Sequence, residues 1–283
     1  MNPSVVCGVD HSANARTLAA FAADLAERLG LRLVLVHAVP VTAPAVVPSW
    51  PVRIPHDAIQ ARDAARDAGA RLLTDVIDAA GVPHAVARVV EGSAPECLGA
   101  VAEQEAARLL VIGTHGEGAA HVLVMGSVSL STTRMAPCPV VVLPHDLQQA
   151  PLSPPDAETI VCGVADADDR EPLRVADSLA GALGLRPLPA HAVPGERDDR
   201  SAGTVSELRQ ALGDGPEILV GDPAAELQRL AEEARAAMVV VGSRGRGAVR
   251  ASLLGSVSRS LTCASKVPVV VCPPGFADGD ERA

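Results

Sequence analysis

Residues 238–258 read MVVVGSRGRGAVRASLLGSVS, and the fold turns on this stretch. The apolar run Met238–Val241 ends on Gly242, Gly245 and Gly247 follow, and nine residues separate Gly245 from Gly255-Ser256. A short apolar run closed by glycine reads as a strand buried on both faces of a parallel sheet. Glycines past its C-terminal end permit positive φ and close approach of a ligand to the main chain. Ser256 then opens a helix, whose first amides have no partner within the helix and whose dipole favours an anion. The same layout lies 129 residues earlier, where Leu109–Ile112 ends on Gly113 and is followed by Gly116, Gly118 and Gly126-Ser127-Val128-Ser129. Aligned without gaps, 109–143 and 238–272 share 15 of 35 residues, including all four glycines. This is an internal repeat. Identical Gly and Ser spacing in both copies favours a bound anion over a plain turn.

Two common phosphate loops do not fit. The chain contains no G-x-x-x-x-G-K-[ST]. The dinucleotide fingerprint belongs at the first strand–helix turn, whereas these glycines follow the last strand but one of each half. The spacing G-x2-G-x9-G-[ST] resembles the motif of the universal stress protein family. It is matched by Gly113, Gly116, Gly126-Ser127 and again by Gly242, Gly245, Gly255-Ser256.

The rest of the chain carries the same duplication. Ser4–Asp10 (SVVCGVD) reads as a short strand, and Leu18, Phe21, Ala22, Leu25 and Leu29 recur at helical spacing before a Gly30 stop. Leu31–Val39 is a second strand, and a strand–helix–strand unit of this length implies a parallel sheet. Pro40–Pro55, with five prolines and the only tryptophan, Trp50, reads as a surface loop. A helix over 57–80, with Ile59, Leu72, Leu73, Val76 and Ile77 as its apolar positions, a strand at Val86–Val90, and a helix with the capping box Ser93/Glu96 follow. Pro139–Leu143 is the fifth strand. In the second half TIVCGV (Thr159–Val164) repeats Val5–Val9, and LRPLPAHAVP (Leu185–Pro194) repeats Leu31–Pro40. The intervening region reads as a charged loop (Gly195–Gly203), a short helix (Val205–Leu212), and a helix capped by Asp222 with Pro223 at its first position. The expected organisation is a domain over 1–146, a linker over 147–158, a second domain over 159–275 and a tail over 276–283.

At 283 residues the chain suits two domains of about 140 residues each. Apolar residues make up 48% and aromatics 1%, so Ala, Val, Leu and Ile must build the core. A net charge of −10 argues against a general nucleic-acid or anionic-membrane surface. No apolar run approaches the ~18 residues of a membrane span. The N-terminus lacks the basic and apolar regions of a signal peptide, and six cysteines without a C-x-x-C pair read as a reduced, cytoplasmic protein.

The family resemblance implies two tandem doubly wound α/β domains, each a five-stranded parallel sheet of order 3-2-1-4-5, forming a pseudo-dimer. It also implies ATP, with Mg2+ carried by the phosphates. In the first half Gly8, Val9 and Asp10 would flank adenine and ribose, and Ala38 would lie against the adenine. Ile112, Gly113 and Gly116 would line ribose and phosphates, with Gly126, Ser127, Val128 and Ser129 around the phosphate chain. The second-half counterparts are Gly163, Val164, Ala192, Val241, Gly242, Gly245, Gly255, Ser256, Val257 and Ser258. There the pattern breaks: Ala165 stands in place of Asp10, with Asp166 one residue later. His115, Glu117 and His121 of the first loop become Arg244, Arg246 and Arg250 in the second. The arginines read either as added phosphate contacts, Arg244 among them, or as solvated loop charges, and on the first reading two unequal sites are expected. Asp10 and the arginines fall in different halves, so no half assembles the parts of a phosphoryl-transfer enzyme. A sensor with little turnover is the leading reading; a slow ATPase and an assembly protein with structural nucleotide stand beside it. His37 and His191 read as packed core residues. Val140–Val142 and Val269–Val271 are apolar strands that an edge cannot leave exposed, so they are expected to pair within the chain or between chains.

Overall fold

The computed structural model describes residues 3–41, 56–114, 125–144, 157–193, 195, 199–212, 215–243, 254–274 and 276. The first half runs β1 (Ser4–Gly8), α1 (Ala15–Arg28), β2 (Arg32–Val39), α2 (His56–Ala80), β3 (Val86–Glu91), α3 (Ala94–Gln104), β4 (Ala107–Gly113), α4 (Ser127–Met135) and β5 (Val140–Leu143). The second runs β6 (Thr159–Gly163), α5 (Arg170–Leu183), β7 (Arg186–Val193), α6 (Asp199–Leu212), β8 (Glu217–Val220), α7 (Pro223–Glu233), β9 (Ala236–Gly242), α8 (Ser256–Ala264) and β10 (Val269–Cys272). The Trp50 loop lies outside the described residues, as do residues 145–156 and 277–283.

The ten strands form one sheet of order β3-β2-β1-β4-β5-β10-β9-β6-β7-β8. Each half has the expected 3-2-1-4-5 order with every pairing parallel. The halves meet in the single antiparallel pairing, Val140 to Val271, Val141 to Val270 and Val142 to Val269. All six valines are buried. These strands, which the sequence offered for self-association, are joined to each other inside one chain, so a second chain finds them occupied.

Side-chain alternation distributes the core over both faces. Val5 and Cys7 face one continuous cluster that spans both halves under α1, α2, α5 and α6. Val6 faces a second cluster under α3, and Val161 a third under α7. Pro187 and Pro189 sit in β7 without breaking it. Arg186 N–H donates to Glu158, and Ala190 C=O accepts from Val164, so the even positions bond to β6. The odd positions face the side where β8 begins only opposite Ala190. A missing N–H there costs no ladder bond.

Four expectations need correction. Ser93 makes no side-chain cap bond, so the capping box with Glu96 does not form. Asp222, by contrast, accepts from Ala225 N–H at 3.0 Å. Ile59 is exposed, although Leu73 and Val76 are buried. Helix α6 starts at Asp199, inside the expected charged loop, because Thr204, Val205 and Leu208 anchor it at helical spacing and its first turn needs only polar residues. Finally, β8 is a strand that the sequence reading passed over. It occupies the positions 129 residues after Arg88–Glu91, so the repeat itself contained the signal.

Candidate functional site

In a doubly wound sheet a ligand sits beyond the C-terminal strand ends where strand order reverses. In the first half that point lies between β1 and β4, with Cys7 beside Val111. In the second it lies between β6 and β9, with Gly163 beside Val241. Because β5 and β10 are antiparallel, the two mouths open at opposite ends of the sheet.

Each glycine loop is closed at its base by the same bonds. Thr114 N–H donates to Leu143 C=O, and Gly126 N–H donates to Thr114 C=O at 2.9 Å. In the second half Ser243 N–H donates to Cys272 and Gly255 N–H to Ser243, both at 2.8 Å. Ser129 Oγ donates to Gly113 C=O at 2.7 Å, and Ser258 Oγ to Gly242 C=O at 2.6 Å. These two buried hydroxyls therefore brace the strand end against the helix. Ser127 and Ser256 are exposed in the first turns of α4 and α8, next to Val128 and Val257. Gly116, Arg244 and Gly245, with the contrasting loop charges at 115, 117, 121, 246 and 250, fall outside the described residues.

The N-caps of α4 and α8 are Gly126 (φ −58, ψ 151) and Gly255 (φ −60, ψ 152). Any residue adopts this conformation, so positive φ is not why glycine stands there. Gly8 and Gly163 also have a local reason. A Cβ on Gly8 would lie 3.0 Å from Leu98 Cδ1, and one on Gly163 would lie 2.8 Å from Leu227 Cδ1. These two glycines make room for side chains of α3 and α7. Val9, Ile112, Val164 and Val241 are buried in the clusters, so toward the mouths they present main chain. Ala38 and Ala192 are half-buried on β2 and β7.

His37 Nδ1 lies 2.8 Å from Val9 O, and His191 Nδ1 lies 2.9 Å from Val164 O. Both histidines tie the second strand to the end of the first, as packed residues do. His11 stacks edge-on against His37 at 5.2 Å and has no histidine counterpart in the second half.

The carboxylates differ between the mouths. Asp10 Oδ1 accepts from Ser12 N–H at 3.0 Å. Where Ala165 replaces it, the equivalent turn moves one residue on, with Asp166 Oδ1 accepting from Asp168 N–H at 2.9 Å. Asp169, the N-cap of α5, accepts from Ala165 N–H at 3.1 Å. A carboxylate thus reaches the backbone position of Asp10 from four residues further along. Burial, with Asp166 and Glu171 nearby, pushes the Asp169 carboxyl up to about 6.

Comparison with known proteins agrees with this architecture. The chain is 29% identical to the universal stress protein Rv2623 of Mycobacterium tuberculosis, over 94% of this chain and 95% of that one. It is 32% identical to Rv2005c of the same organism over 58% of this chain and 61% of that one. A universal stress protein from Archaeoglobus fulgidus has the same fold, with a TM-score of 0.66 at 20% identity, covering 96% of this chain and 98% of that one. A functionally unknown protein, PA1789, from Pseudomonas aeruginosa PAO1 aligns with a TM-score of 0.60 at 16% identity, over 96% and 93% of the two chains. The family model described as "Universal stress protein family" matches residues 1–144 and again 156–273, and the chain belongs to that family as a tandem two-domain member.

Proposed function

We propose that the chain is an ATP-binding regulatory protein of the stress response, with one nucleotide site at each sheet mouth and little or no turnover. The observation that carries this reading is the pair of glycine N-caps. A Ser, Thr, Asn or Asp cap would stabilise either helix over glycine by about a few tenths of a kcal/mol, and the backbone at Gly126 and Gly255 accepts any residue. Both copies nevertheless leave out the side chain, which keeps space open before amides suited to an anion. The main chain of Gly126–Ser129 and Gly255–Ser258 would hold the phosphates, with Gly113 and Gly242 behind them and Arg244 added in the second mouth. Asp10 in the first mouth and Asp169 in the second stand at the ribose end, beside Ala38 and Ala192. Mg2+ would be carried by the phosphates, as is usual for this ion with nucleotides.

Calorimetry of the full chain with Mg-ATP tests the reading. Two binding events are expected, and Gly126→Val and Gly255→Val should each remove one. A flat titration of the unmodified chain would refute it. Single-turnover assays should show no phosphate release above that of the double variant Gly126→Val/Gly255→Val.

A further inference from the structure

The residue before each N-cap glycine is anchored in the opposite half. Met125, immediately ahead of Gly126, is buried, and its Sδ lies 3.4 Å from Thr262 Oγ1 near the end of α8. Its counterpart Leu254, immediately ahead of Gly255, packs on the second half's own cluster and also on the first-half cluster that contains Leu110, Val142 and Met125. Cys263, next to Thr262, packs on that first-half cluster too. The strand directions explain the arrangement. Helix α8 begins at the second mouth and returns along the sheet, so its last turn arrives beside the first mouth.

We propose that the two nucleotide mouths are coupled through these crossed anchors, with α8 linking the second mouth to Met125 and Leu254 providing the reciprocal link. The proposal rests on the nucleotide reading above. Nine residues make a marginal helix whose order depends on what holds its ends. An anion at Ser256 and the packing at Thr262 hold opposite ends of α8. Fixing one end lowers the conformational cost of fixing the other. Gly126, whose N–H closes the first loop's base, is adjacent to Met125 and is positioned by it. By linkage, filling the first mouth must favour the second by the same factor. Met125 and Leu254 are positioning residues: they touch no nucleotide in this scheme.

The test uses full-length chains in which only one mouth binds. In Gly255→Val, Mg-ATP reaches the first mouth alone, and amide hydrogen exchange is followed in both α4 and α8. The expected result is slowing of α4 amides accompanied by slowing of α8 amides by at least about threefold. Gly126→Val gives the reciprocal experiment, with α4 responding to the second mouth. Adding Met125→Ala to Gly255→Val should abolish the α8 response while α4 still slows, and Met125→Leu should restore it. Slowing confined to the occupied half, in both single variants, overturns the coupling and leaves ATP binding intact. Absence of any ATP heat in the unmodified chain overturns the nucleotide reading itself, and the coupling with it.

Discussion

Gly163 lies where β6 meets α7, and replacing it with alanine tests whether packing accounts for that glycine. The new Cβ would stand 2.8 Å from Leu227 Cδ1 and 3.0 Å from Val241 Cγ1, both on buried side chains. Overpacking of this kind costs about 1–3 kcal/mol, partly offset by the reduced freedom of the unfolded chain, about 0.4–1 kcal/mol. Leu227→Ala alone opens a cavity and should cost about 2–5 kcal/mol. Combined, the two changes relieve each other, because the methyl group introduced at 163 enters space that Leu227 has left. Urea denaturation of the four chains should therefore give a double-variant loss at least about 1 kcal/mol smaller than the sum of the singles. Additivity within about 0.3 kcal/mol would refute the packing account and return Gly163 to the list of residues kept small for a ligand.

Asp169 provides a test with pH. Its folded carboxyl titrates at about 6, above the ordinary value near 4, so the folded chain holds more protons between those pH values and loses stability as pH rises through that window. Asp169→Asn keeps an acceptor for Ala165 N–H and should flatten this part of a melting-temperature profile; an unchanged slope would show that another group is responsible. Glu105 receives Arg32 and Arg88 at 3.0 and 2.6 Å, and the two guanidinium groups hold its carboxyl below the ordinary range. The resulting stability is present near neutrality and lost as pH falls below the ordinary carboxylate range, so Glu105→Gln should lower the urea midpoint at pH 7 and converge with the unmodified chain in acid. Val270→Asp places a carboxylate at a fully buried position in the seam between halves and should cost more than about 4 kcal/mol, measured by urea denaturation. Thiol reagents should label the half-buried Cys97 and Cys263 before Cys7, Cys138, Cys162 and Cys272, which are buried, with the Cys138 thiol pushed up to about 12 by its surroundings.

The strands other than β8 were legible because their signals are local: an apolar run, a glycine, a repeat distance. The seam was legible too, since Val140–Val142 and Val269–Val271 are too apolar to leave at an edge. What escaped depends on contacts remote in sequence or on small shifts of register. Thr262 and Met125 are 137 residues apart, and no periodicity links them. Asp169 replaces Asp10 only through a turn displaced by one residue, which an ungapped comparison scores as a lost carboxylate. The length of α6 was misjudged because a polar helical turn and a loop have the same composition. Gly8 and Gly163, which the family resemblance assigns to a ligand, also lie against leucines of α3 and α7, a packing contact remote in sequence.

The reversal of strand direction at the seam has an electrostatic consequence. Strand β4 is seven residues long, so phosphates bound as proposed at the two strand ends would be separated by about 20 Å measured along the strands. That is more than twice the Debye length of about 8 Å at physiological ionic strength. Two Mg-nucleotide anions bound as proposed would therefore repel each other little. On the proposed reading, whatever one nucleotide communicates to the other would pass through the polypeptide, and raising the salt concentration should leave it unchanged.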